Sequence, residues 1–112
     1  MREAMLHFRK YRNGVLQAHE GLTVLMRRTK EGAVEYQQAK CGKQDVFCKT
    51  VGRKICEGRF ASLRVRNKLV APTDMLKRLN KWNEKYHERF SEEFFKKLLS
   101  RIEPVSVPKN FP

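Results

Sequence analysis

The sequence predicts an α+β fold, with a small antiparallel sheet of three or four strands, one short packed helix and a long or kinked C-terminal helix. Three patterns indicate it: two-residue alternation of apolar side chains over 22–41, a helical apolar pattern over 45–57, and apolar spacings of three and four after Pro72. A chain of 112 residues suits one domain. We assign 1–103 to a single basic domain and 104–112 to an extended tail that contains prolines.

The first element is the segment 1–20, which contains the dipeptide Asn13-Gly14. Asn-Gly between apolar segments is a strong signal for a two-residue hairpin turn, so residues 5–18 can form a hairpin. An extended arm and a short helix over 2–10 are the alternatives for this segment.

The next element is a hairpin over 22–41. Leu22, Val24 and Met26 alternate with less apolar residues, and a second alternating segment begins at Val34. Gly32 suits the left-handed position of the turn between them. The pattern therefore predicts two antiparallel strands.

Residues 45–57 follow as a short helix, with Asp45 as its N-cap and Gly58 as its C-terminal stop. Gly52 costs this helix about 1 kcal/mol relative to alanine, so we expect close packing against another backbone there. The expected apolar stripe consists of Phe47, Cys48, Val51 and Ile55. Cys48 is accordingly predicted to be a buried structural thiol.

The chain after this helix is predicted to add a strand over 62–70 and then a C-terminal helix, capped by Thr73 or Asp74. Either one helix runs to about Ile102, or two helices meet at a kink near Ser91. The apolar positions of this region are Leu76, Leu79, Trp82, Tyr86, Phe90, Phe94 and Leu98. If the sheet leaves part of this aromatic stripe uncovered, we expect a homodimer through the C-terminal helix.

Charge is the strongest functional signal. The chain has 25 Lys and Arg against 12 Asp and Glu, which gives a net charge of +13 and a pI of about 10.1. Most of the surplus lies in residues 1–72, and we expect it to gather into one continuous face. Such a balance is typical of nucleic-acid binding, although an acidic protein or an anionic membrane would attract the same field.

Three groups of cations are the candidate nucleic-acid-binding residues. The first, on the short helix, is Lys49, Arg53, Lys54 and Arg59. The second, at alternate positions of a predicted strand, is Arg64, Arg66 and Lys68. The third, interleaved with Phe8 and Tyr11, is Arg9, Lys10 and Arg12. Cations can hold phosphates while aromatic rings stack on bases, but a solvated helix face, a charged edge strand and buried aromatics are the ordinary alternatives.

Catalytic and metal chemistry is poorly supported. The three cysteines do not have the spacing of zinc ligands, and the acidic residues of 1–72 form no pattern. We therefore predict a non-enzymatic protein without metal or cofactor. An odd cysteine count, no secretory signal and no apolar run of about 20 residues favour a cytoplasmic protein without membrane contact.

One stretch of the chain resembles a known class of proteins. It contains a Gly-Leu-Thr-Val strand at 21–24, the hairpin, Cys41, and the pattern D-x-F-C-K-x-x-G-R-K-I-x-x-G-R from Asp45 to Arg59. Over about residues 21–60, a third of the chain, it resembles small uncharacterised proteins encoded by bacteriophages. The resemblance implies a phage protein that interferes with or redirects a host machine in the host cytoplasm, and it transfers no functional residue.

The sequence thus predicts a non-catalytic binding protein for a polyanion, with DNA or RNA as the first candidate, held through its phosphates. With about five phosphate contacts, log affinity should fall against log salt with a slope of about −4.5 on duplex DNA. The alternative is a phage-encoded module that inhibits or redirects an acidic host protein.

Overall fold

The computed structural model describes residues 1–62 and 64–104, which form the α+β fold that the sequence predicts. Within these residues, one antiparallel sheet has the strand order β1-β2-β3-β4. The strands are β1 (Glu3–Arg12), β2 (Val15–Arg28), β3 (Val34–Val46) and β4 (Lys68–Val70). The helices are α1 (Lys49–Ala61), α2 (Pro72–Tyr86) and α3 (Glu92–Arg101).

The N-terminal segment is a hairpin, as Asn13-Gly14 predicts, and it is neither a helix nor a separate arm. Asn13 and Gly14 have φ angles of 51° and 77°, the left-handed pair that a tight two-residue turn requires. Strand β2 continues without interruption into the second hairpin, whose turn contains Gly32 at φ 90°. The two predicted hairpins therefore share one long central strand.

Helices cover both faces of the sheet at β2. Leu22, Val24 and Met26 belong to the larger core with residues of α2 and α3, and the alternate side chains of Thr23 and Leu25 lie beneath α1. All of Gly21–Met26 is consequently buried. The sheet separates the surface of α1 from the surface of α2 and α3.

Phe8 joins the N-terminal strand to both C-terminal helices. Its fully buried ring lies 6.0 Å from Trp82, 5.7 Å from Phe90 and 6.2 Å from Phe95, measured between ring centroids. Phe8 is thus a core residue and cannot stack on a base. The aromatic stripe packs on the chain's own sheet, with Phe94 remaining 40% exposed, and the homodimer stays a prediction.

The predicted bounds of the short helix are wrong. Asp45 lies in β3, because this strand still pairs with β2 at Val46 and the Phe47 amide donates to the Ala18 carbonyl at 2.9 Å. Cys48 is therefore the N-cap, and its side chain makes no capping hydrogen bond. Gly58 lies inside the helix, which continues to Ala61. Strand pairing outweighs both capping signals.

The predicted buried side of α1 is also wrong. Val51 and Ile55 are 53% and 40% exposed, whereas Gly52 and Cys56 face the sheet and are buried. A Cβ atom at position 52 would lie 2.8 Å from the Cβ atom of Thr23. A close approach at Gly52 is confirmed, but the expected backbone partner is wrong, because the atoms that it meets belong to the Thr23 side chain. It rotates the helix so that Cys48 is exposed and Cys56 is the buried thiol.

The C-terminal region contains two helices, as one of the two predicted arrangements has it. Helix α2 begins with Pro72 after the N-cap Ala71, so the predicted caps Thr73 and Asp74 lie inside it. It ends at His87, whose φ of 58° is left-handed. Ser91 is the N-cap of helix α3, and its hydroxyl accepts a hydrogen bond from the Phe94 amide at 3.1 Å.

The predicted strand over 62–70 is reduced to Lys68–Val70. Residues 64–67 form part of the connection from α1, so Arg64, Arg66 and Lys68 do not share a strand face. Of the predicted tail, Pro104 bridges to Arg28, and 105–112 lie outside the described residues. In the part of the chain that is described, no helix has the length and apolar character to span a bilayer.

Candidate nucleic-acid interface

The first cluster of cations lies where β1 meets the start of α1. Strand alternation places His7 and Arg9 on the α1 side of the sheet, and Lys49 and Arg53 follow one another at a spacing of four on the helix. The structure thereby brings Arg9 of the third predicted group beside two residues of the first. Lys54 is exposed on the same helix, and we call Arg9, Lys49, Arg53 and Lys54 the α1 face.

The Phe47 ring contacts both Arg9 and His7 in this cluster. The Arg9 guanidinium lies 4.7 Å from the centre of the Phe47 ring, and the His7 ring meets the same ring edge-on at 5.8 Å. Arg9 also donates from Nη2 to the Gln17 carbonyl at 3.1 Å. A cation–π contact and a hydrogen bond hold the guanidinium in place, which lowers the entropy cost of presenting it to an anion.

The charged groups around His7 are positive. Its Nδ1 atom lies 2.9 Å from the Thr23 hydroxyl in a half-buried position. Burial lowers the pKa of His7 below its usual 6.5, and the positive charges of Lys49, Arg53 and Arg9 lower it further. Every charged group that shifts this pKa is a cation.

Two arginines of the first predicted group, Arg53 and Arg59, contact other groups of the protein. Arg53 pairs with Glu57 one turn away, Nε to Oε1 at 3.5 Å, with both side chains largely exposed. Such a pair contributes little to stability and can exchange for a phosphate. Arg59, ten residues or about 15 Å along the helix from Lys49, donates to the Gln38 carbonyl over β3. Arg59 therefore lies apart from the α1 face.

The second predicted group is divided by the sheet. Arg64 and Arg66 are exposed in the connection to β4, which is anchored where the Gln37 amide donates to the Arg66 carbonyl at 3.2 Å. The Lys68 ammonium instead lies 5.6 Å from the centre of the Tyr36 ring. Tyr36 belongs to the larger core beneath α2. Lys68 thus belongs to the opposite surface.

Lys10 and Arg12 also lie on the α2 side. The Lys10 ammonium donates to the Lys85 carbonyl at 2.9 Å, which joins the end of β1 to the last turn of α2. Arg12 lines a neighbouring open cavity of about 700 Å³ with His87 and Arg89. No acidic residue is among the described residues that line this cavity.

The ten predicted residues therefore do not form one continuous face. Sequence reasoning also missed cations of α2, because the C-terminal third has a small net charge and was interpreted as structural. Lys77, Lys81 and Lys85 are spaced by four, a helical pattern that could have revealed a basic flank. Arg78 donates from Nη1 to the Tyr36 hydroxyl at 2.8 Å, beside Lys68. We call Lys10, Lys68, Arg78, Lys81 and Lys85 the α2 face.

Few of these cations are neutralised within the protein. Among the described residues, Arg27 and Arg53 are the Lys and Arg side chains that pair with a carboxylate; Arg27 contacts Glu3 at 3.1 Å. Within the described residues, the acids of α3 therefore form no ion pair with either face. In residues 1–62 and 64–104, no three His, Cys, Asp or Glu side chains are arranged to hold a metal ion.

No protein-family model, curated protein or solved structure matches this chain. The resemblance to bacteriophage proteins and the origin that it implies stay predictions.

Proposed function

We propose that this protein binds nucleic acid without catalysis, and that the α1 face makes the principal contacts with its phosphates. The observation that carries the proposal is that Arg9 and His7 both contact Phe47, two residues before α1, so that Arg9 lies close to Lys49 and Arg53 of the helix. The positive charges of these three residues all lower the pKa of His7. Neutralising phosphates with Lys and Arg releases counterions, which drives binding whatever the sequence.

The arrangement favours phosphate contact over base readout. Lys49 and Arg53 are separated by about 6 Å along the helix axis, and Lys54 is exposed beside them. Among the described contacts of the α1 face, Arg9 is the member that a ring and a hydrogen bond hold. Flexible exposed lysines can follow a phosphate backbone, but they do not present the rigid paired donors that recognise a base edge.

The test is a binding titration of a fluorescent duplex at several salt concentrations. Four phosphate contacts predict that log affinity falls against log salt with a slope of about −3.6. The double variant Lys49→Gln/Lys54→Gln should reduce the slope to about −1.8, because each lysine accounts for about one contact. The matched control is Lys96→Gln/Lys97→Gln, which removes two exposed lysines from α3 on the other side of the sheet.

Two outcomes would overturn the proposal. One is no binding at low salt. The other is equal weakening by the α1 and α3 double variants, which would mean that net charge matters and the α1 face does not. An acidic host protein as the true partner would appear as a single species that the immobilised protein retains from lysate after nuclease treatment, together with no affinity for purified duplex.

A further inference from the structure

We infer that the α2 face is a second nucleic-acid site, so that one chain can join two nucleic-acid segments across its sheet. The inference rests on the proposed function and extends it from one binding surface to two. It starts from the separation of the predicted cations by the sheet, with α1 on one side and α2 on the other.

The α2 face is assembled from three elements. Lys68 of β4 and Arg78 of α2 meet at the Tyr36 ring, with their charged groups 5.6 Å and 5.7 Å from its centre. Lys10 of β1 reaches the other end of the helix at Lys85. Lys81 lies between these ends, one turn from Lys85 and close to one turn from Arg78. The cations thus form a row along one flank of α2.

The flank is shaped as well as charged. Lys77, Arg78, Lys81 and Lys85 line an open groove of about 900 Å³, and Trp82 is part of its wall. Tyr36 fixes the Arg78 guanidinium by a hydrogen bond of 2.8 Å. Within the described residues, no carboxylate pairs with any cation of the α2 face. A row of cations that no described carboxylate pairs with, beside an aromatic ring, suits a phosphate backbone.

The second site should be weaker than the first. Asp74 and Glu84 also line the groove, so the net charge there is lower than the number of its cations suggests. Among the described residues, Glu57 pairs with the Arg53 side chain of the α1 face, and Glu88 accepts a hydrogen bond from the Arg9 backbone amide. We expect tight binding of one nucleic-acid segment at the α1 face and weaker binding of another at the α2 face. A protein that holds both segments joins them.

The test measures stoichiometry and bridging together. In sedimentation or calorimetry with a short duplex of about one helical turn at low salt, the protein should bind two duplexes per chain. Beads that carry one duplex should capture a second, fluorescent duplex only when the protein is present. Lys81→Gln/Lys85→Gln should leave the tight event within about twofold, reduce the stoichiometry to one and abolish capture. Lys96→Gln/Lys97→Gln, which also removes two exposed lysines, is the control.

Each outcome decides between the sites. One duplex per chain and no capture by the wild type would overturn the second site and leave the proposed function standing. No binding of any duplex at low salt would overturn both. Capture that survives Lys81→Gln/Lys85→Gln, with one duplex per chain and a dimer of free protein in sedimentation, would assign bridging to two α1 faces and also overturn the second site.

Discussion

Thr23 lies directly beneath Gly52, and this contact sets the distance between α1 and the sheet. Position 52 has no room for a methyl group, since an added Cβ would lie 2.8 Å from the Thr23 Cβ. Thr23 cannot easily yield, because it is fully buried in the central strand and its hydroxyl bonds to His7. The position of the α1 face relative to β1 therefore depends on a glycine.

We predict that Gly52→Ala lowers the free energy of unfolding by about 1–3 kcal/mol, the usual cost of overpacking. The matched control is Gly58→Ala in the same helix, where an added Cβ meets nothing within 4 Å. That change should raise stability by about 0.5–1 kcal/mol, since alanine is the better helix former. Urea unfolding of both variants checks the pair, and equal effects would show that the Thr23 contact does not limit α1.

The glycines of this chain show what the sequence can predict about single residues. Conformational needs are local, so the left-handed turns at Asn13-Gly14 and Gly32 were predictable from dipeptide chemistry. The sequence also indicated a close approach at Gly52, because a glycine inside a helix lowers stability and a close contact can offset that loss. It did not indicate the partner, because Thr23 and Gly52 are 29 positions apart and meet only in the fold.

Helix α1 buries smaller side chains against the sheet than α2 and α3 bury. It buries only Gly52 and Cys56 completely, and the smaller core beneath it consists of Leu25, Ala39 and Cys56, with Met5 and Phe60 at its border. Helices α2 and α3 instead share the larger core around Phe8. An element with few buried apolar contacts opens at a lower free energy than the molecule as a whole.

Cys56 provides the measurement. Its Sγ atom is buried and lies 3.6 Å from the Thr23 carbonyl, and burial raises the pKa of this thiol, so it should not react until α1 detaches. We predict that a thiol reagent modifies exposed Cys48 rapidly and Cys56 slowly, through an opening whose free energy is lower than that of global unfolding. The comparison is with urea unfolding of the Cys41→Ser/Cys48→Ser protein. Equal free energies, with the same urea dependence, would show that α1 detaches only when the whole chain unfolds.

The elements themselves were largely predictable, and their ends were not. Apolar side chains recur at every second position of Leu22–Met26 because that side of β2 packs in the larger core, and the spacing of the C-terminal aromatics follows from packing in the same core. Asp45 and Gly58 carry good capping signals, but pairing of Val46 with His19 extends β3 past the first of them. The rotation of α1 follows from a contact distant in sequence, so its exposed side chains, Val51 and Ile55, were assigned to the core.

The distribution of charge over the whole molecule was the least predictable feature. The surplus of cations in the sequence indicates a polyanion partner, but it contains no information about which cations share a surface. Packing of α1 against one side of the sheet and α2 against the other separates Lys49 from Lys10 and Lys68. Because the net charge of the C-terminal third is small, the sequence did not indicate a basic surface there. In the fold, Arg78, Lys81 and Lys85 lie on one flank of α2.

This crowding of like charges should make the free protein more stable as salt is added. The net charge is +13, and among the described residues Arg27 and Arg53 are the Lys and Arg side chains with a carboxylate partner. Repulsion within each face opposes folding, and the screening length falls from about 30 Å at 0.01 M salt to about 10 Å at 0.1 M. We predict a rise of a few degrees in Tm over this range, whereas the affinity for duplex should fall over the same range.

The opposite signs separate this effect from a general influence of salt on folding. Lys81→Gln/Lys85→Gln removes two members of the α2 face, so its Tm should start higher at low salt and rise less than that of the wild type. Lys49→Gln/Lys54→Gln should behave in the same way if repulsion on the α1 face is of similar size. A Tm that falls with added sodium chloride, in the wild type or in these variants, would mean that the exposed ion pairs of Arg27 and Arg53 outweigh the repulsion. The two faces would then be less positive than their residues imply.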